Sequence, residues 1–104
     1  MEQAKTEEVT IKQQLQLEKV RIEDQMTAIT KRQETLLRNI RLTEKILAKL
    51  EPLQISGAIS EIQLLEQQNR LEIQKDEMIQ LKTQEDQLIN ESRSRKADLE
   101  GRLE

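Results

Sequence analysis

Phe, Trp and Tyr are absent from this sequence, and that absence limits the possible folds more than any residue that is present. Aromatic side chains bury the most area per residue and anchor most globular cores. The apolar residues here are almost all Leu and Ile, with a few Ala, Met and Val. They make up 35% of 104 residues, against 36% charged. Such material cannot fill a core of ordinary thickness, but it can fill a thin seam between helices. Leu, Glu, Lys, Arg and Gln at helical spacing are the composition of long helices and coiled coils. High charge without aromatics also marks disordered chains. Here, however, the apolar residues recur at regular intervals, which favours helices.

From Ile11 to Leu50 there is no Gly, no Pro and one Asn. With Met26 at heptad position a, the a series is Lys12, Lys19, Met26, Gln33, Ile40, Leu47. The d series is Leu15, Ile22, Ile29, Leu36, Thr43, Leu50. Five of the six d positions are apolar, the mark of a coiled-coil seam. Val9, Ile11, Leu17, Val20, Leu37, Leu42 and Ile46 fall off that seam. They widen the apolar stripe, as contact with more than one neighbouring helix requires.

The one proline, Pro52, lacks an amide hydrogen and disfavours the α conformation at Glu51. The first arm, about 5–50, is therefore expected to stop near Leu50 with Lys45 and Lys49 in its last turn. Residues 51–57, with Pro52 and Gly57, read as a turn. Ser60 and Gln63 fit a Ser-x-x-Gln capping box for the next helix. The second arm, about 58–99, has a less regular pattern. One frame places Leu64, Leu71, Met78, Glu85, Ser92 and Leu99 at a, and Gln67, Gln74, Leu81, Leu88, Arg95 and Arg102 at d. Ile59, Ile62, Leu65, Ile73, Ile79 and Ile89 lie outside it, so the register is expected to drift. The tail to residue 104 is expected to fray.

Charge gives an independent indication of how the arms pair. Between Lys31 and Lys49 six bases (Lys31, Arg32, Arg38, Arg41, Lys45, Lys49) outweigh two acids, a net of +4. Between Glu61 and Glu91 eight acids outweigh three bases, a net of −5. Opposite flanking charge sets orientation in coiled coils. The expected fold is all-α: residues 1–104 form a single antiparallel helical hairpin, a coiled coil turning near residues 51–57. A lone hairpin buries one seam, so its off-seam Leu and Ile need cover. Self-association or a partner would complete a four-helix bundle.

Little chemistry is open to this chain. Without His or Cys it cannot build the common zinc, haem or iron–sulfur sites, nor a Ser-His-Asp triad. Gly57 and Gly101 alone cannot make a phosphate loop. Carboxylate pairs such as Glu23/Asp24 and Asp76/Glu77 read as solvated helix faces, with no apolar pocket to raise a pKa. No catalytic, metal or cofactor-binding residues are assigned; no cofactor and no small-molecule ligand are expected. Nucleic-acid binding is disfavoured by a net charge of −3 and the lack of any stacking aromatic. No apolar run approaches the ~20 residues of a membrane span. With no signal-peptide pattern at MEQAKTEEVT, an intracellular, soluble protein, cytoplasmic by default, is expected.

In outline, two arms around a short turn resemble prefoldin subunits and the coiled-coil stalk proteins of flagellar and type III export ATPases. Prefoldin subunits carry β-hairpins between their helices, and Pro52–Gly57 is too short to hold one, so no family is assigned. The expected role is a non-enzymatic scaffold or adaptor, with itself or another helical protein as partner. A chaperone-like or adaptor protein gripping a client at the open end of the hairpin is the alternative. The residues expected to carry the association are Leu15, Ile22, Met26, Ile29, Leu36, Ile40, Leu47 and Leu50 on the first arm. On the second arm they are Leu64, Leu71, Met78, Leu81 and Leu88.

Overall fold

The computed structural model describes residues 2–103, the side chain of Glu2 excepted. It is all-α: helix α1 (Glu2–Ile55) and helix α2 (Glu61–Gly101) pack antiparallel. The chain divides into two compact units, one from the stretches up to Thr30 and from Thr83 onward, the other Lys31–Lys82.

α1 runs past Leu50 and through Pro52 to Ile55. Proline accepts helical φ; what it removes is the bond from its own nitrogen to the carbonyl of Ala48. Ala48 and Pro52 are both exposed, where an open carbonyl costs less than in a core, and the helix continues to Ile55. Lys45 and Lys49 consequently precede the last turn, which holds no base. α2 in turn keeps its helical form to Gly101, so most of the tail expected to fray is ordered.

The stop lies at Gly57. Its φ of 81° is left-handed, which glycine adopts without the steric cost of a Cβ. The Ala58 amide donates to the Leu53 carbonyl at 2.8 Å, and the Gly57 amide donates to the Gln54 carbonyl at 3.0 Å. This pair of bonds is the Schellman motif, which satisfies carbonyls that a helix end leaves open. α2 starts on the capping box expected from the sequence. The Gln63 amide donates to Ser60 Oγ at 3.3 Å, and the Ser60 amide donates to Gln63 Oε1 at 3.0 Å. Ile59 and Leu64, the positions of a hydrophobic staple, are half-buried. The reversal thus spans residues 56–60, later than the turn expected at residues 51–57.

These local devices make opposite predictions for two substitutions. Gly57→Val should destabilise the hairpin by about 1–2 kcal/mol, the cost of a side chain in the left-handed region. Pro52→Ala should leave the turn in place and stabilise by about 1 kcal/mol, since it restores a backbone bond in the last turn. Urea midpoints measure both; a large loss for Pro52→Ala would restore the proline as the element that ends α1.

Candidate interaction surfaces

The seam is narrow. Leu36, Ile40, Leu47 and Leu88 are the buried apolar residues, with Thr43 and Ser92 buried beside them. Of the residues expected to carry association, these four are buried; Leu15, Ile22, Met26, Ile29, Leu50, Leu64, Leu71, Met78 and Leu81 are half-buried. Pro52 and Gly57 are exposed. On α2 the frame holds from Leu64 to Ser92, with Leu64, Gln67, Leu71, Gln74, Met78, Leu81, Glu85, Leu88 and Ser92 all facing inward, and the expected drift comes only beyond Ser92. The apolar residues that suggested drift are mostly flank residues, with Ile62, Leu65, Ile73 and Ile79 exposed.

In the Lys31–Lys82 unit the seam of α1 follows Gln33, Leu36, Ile40, Thr43, Leu47 and Leu50. Gln33 and Thr43 on this seam are polar, as are Gln67 and Gln74 facing it from α2. Thr43 resolves its hydroxyl locally, donating to the Asn39 carbonyl at 3.0 Å. Gln67 and Gln74 are different: each is half-buried, and its Oε1 is buried without a hydrogen bond. A buried acceptor left open costs about 1–3 kcal/mol. Polar residues in a seam also fix register at the expense of stability. Gln74→Leu should therefore raise stability by about 1 kcal/mol, read from urea unfolding. A loss of stability would mean that the amide has an essential partner.

The other unit departs from the heptad frame. Lys12 and Lys19, expected inside, are exposed; Ile11 and Glu18 are half-buried in their place. The spacing Glu18–Ile22–Met26 contains two successive steps of four, where a heptad alternates three and four. α2 makes the same change at Leu88–Ser92–Lys96, so Arg95 is exposed and Lys96 half-buried. Such a stutter unwinds a coiled coil locally. Arg95 lies 3.7 Å from Glu18, which puts Ile22 level with Ser92. The two stutters therefore coincide, and each seam continues to face the other.

Glu18 sits at this level with a side chain only 10% exposed. Arg21 grips it with a two-pronged hydrogen bond through Nε and Nη2. Arg95 adds its charge from α2 and pairs with Glu91 at 2.6 Å. The hydrogen bonds from Arg21, aided by both guanidinium charges, hold the Glu18 carboxyl below its ordinary pKa against the opposing effect of burial. The same contact pushes Arg21 up. The six bases between Lys31 and Lys49 contrast with this cluster. Among the described residues none of them forms an ion pair.

Each unit also leaves a shallow groove on its side. One, of about 360 Å³, has Leu17, Leu99, Arg21 and Asp98 on its walls. The other, of about 590 Å³, lies between α1 and α2 of the Lys31–Lys82 unit and is lined by exposed Leu42 and Ile73 and half-buried Ile46. Among the described residues no cluster of His, Cys, Asp or Glu could hold a metal ion, and no helix is long and apolar enough to cross a membrane. Comparison with protein-family profiles, with curated proteins and with solved structures finds no match to this chain.

A carboxyl with a depressed folded pKa adds stability above its unfolded pKa and loses it as pH falls through the folded value. The stability difference between the wild type and Glu18→Gln should therefore be largest near neutrality and shrink below about pH 4. Chemical denaturation at pH 7 and pH 3 measures it. A difference independent of pH would show that Glu18 contributes nothing through its charge.

Proposed function

We propose that this chain is a non-enzymatic interaction module, a scaffold or adaptor that works by covering its apolar flanks with other helices. One observation carries the reading: large apolar side chains stand in solvent on both units. Leu42, Ile62, Leu65, Ile73 and Ile79 are exposed on the Lys31–Lys82 unit, and Val9, Leu17 and Val20 on the other. Scattered exposed Leu residues need no explanation, but contiguous apolar surface marks an interaction site. Burying such surface contributes about 25 cal/mol per Å². The seam holds the two helices in register, and the flanks supply the surface for a partner.

The chaperone-like alternative needs the helices to part at the end away from the turn. Glu18 and Arg95 work against it, because their ion pair joins α1 to α2 in that unit.

Leu36→Lys places a charge in the buried seam and should cost at least about 3 kcal/mol, unfolding the hairpin and abolishing association together. Ile29→Lys acts in the same direction at a half-buried position. Circular dichroism and light-scattering mass at micromolar concentration read both effects. Unchanged helicity and mass would count against the seam. A wild-type chain that stays at 12.2 kDa and binds no apolar dye would count against the module.

A further inference from the structure

We propose that the partner covering the Leu42–Ile46–Ile73 groove is a second copy of this chain, related by a two-fold axis parallel to the helices. The inference rests on the interaction-module reading and names its occupant.

The groove is open to an incoming helix pair: Leu42 is 57% and Ile73 50% exposed. Leu36 and Thr43 of the seam form its floor. Its rim is charged in a way that selects the occupant. Antiparallel packing puts Ile46 toward the Glu66 end of the groove and Leu36 toward the Glu77 end. Arg38, Lys45 and Lys49 are exposed along the α1 side, and Glu66, Asp76 and Glu77 along the α2 side. One rim is therefore basic and the other acidic, and among the described residues the basic rim forms no ion pairs. Only Arg70 interrupts the sign on the acidic side of the groove.

A surface with one basic and one acidic rim is complementary to itself in one orientation. Face-to-face packing of two copies allows two kinds of two-fold axis. An axis across the helices would lay α1 on the partner's α1 and α2 on the partner's α2, pairing like charges. An axis along the helices lays α1 on the partner's α2, base against acid, with both turns at the same end. It also brings Leu42 and Ile46 of one copy over Ile73 of the other. Four helices then surround one core, each flanked by neighbours running the opposite way. Like-charge pairing excludes the first arrangement, and charge complementarity sets the second.

The wild-type chain should sediment as two copies of 12.2 kDa, and the variant Leu42→Glu/Ile73→Glu, which sets like charges against each other across the axis, as one copy with helicity retained. Both residues are exposed, so their replacement leaves the seam intact. Orientation is read separately. The chain has no cysteine, and Ile55 beside the turn is 83% exposed, so Ile55→Cys takes a single spin label. Dipolar spectroscopy should give a distance within about 30 Å, the width of a four-helix bundle. A dimer with its labels much farther apart would overturn the parallel axis. A monomeric wild type, or a double variant that still dimerises, would overturn self-pairing at this groove. Apolar dye binding tells that failure from failure of the module. Dye bound by a monomeric wild type and lost in the double variant leaves a different helical partner as the occupant. Absence of dye binding by that monomer removes the interaction reading as well.

Discussion

The structure depends on a single seam shared by two helices. Leu and Ile reach far enough to fill one layer between helical backbones, and without aromatics nothing spans a second layer. Four apolar side chains are buried, and most of the rest along the seam are half-buried. Even full burial of such a side chain contributes only roughly 1.5–3 kcal/mol. The chain gains stability by repeating a small contact many times, and its remaining Leu and Ile are left on the flanks. The exposed flanks and the thin core have one origin: two helices give each residue only one neighbour to turn toward.

The reversal needs no long-range contact. Gly57 closes α1 through backbone bonds to Leu53 and Gln54, and Ser60 with Gln63 opens α2 through reciprocal bonds. Both devices satisfy backbone groups that helix ends leave open. Charge works over longer range. The basic stretch of α1 and the acidic stretch of α2 favour antiparallel neighbours, though among the described residues none of the six bases forms an ion pair. At Glu18 the opposite strategy operates: one carboxylate, nearly enclosed, is held by Arg21 and Arg95.

The fold class and the seam were legible because every expected core residue, from Leu15 to Leu88, is apolar at helical spacing. The capping box was legible because its two bonds lie within four residues. The end of α1 was misplaced because proline is a strong breaker inside a helix and a mild one in its last turn, where it removes only the one bond to the Ala48 carbonyl. The frame of α2 looked irregular because Ile62, Leu65, Ile73 and Ile79 are as apolar as the seam they flank. The shift of register near Ile22 was not read from the sequence, where Ile11 was placed off the seam, and its counterpart on α2 rests on Ser92 and Lys96, which carry no apolar signal.

Periodicity, turn chemistry and the segregation of charge belong to the sequence, since each is a relation among residues near one another along the chain. It determined two helices, their antiparallel pairing and the cap at Ser60. Tertiary structure alone decided which of several similar Leu and Ile rows faces inward, that Glu18 replaces Lys19 beside Arg95, and which flanks remain open. The reason is physical: a row of apolar residues has no inside until a second helix is laid against it.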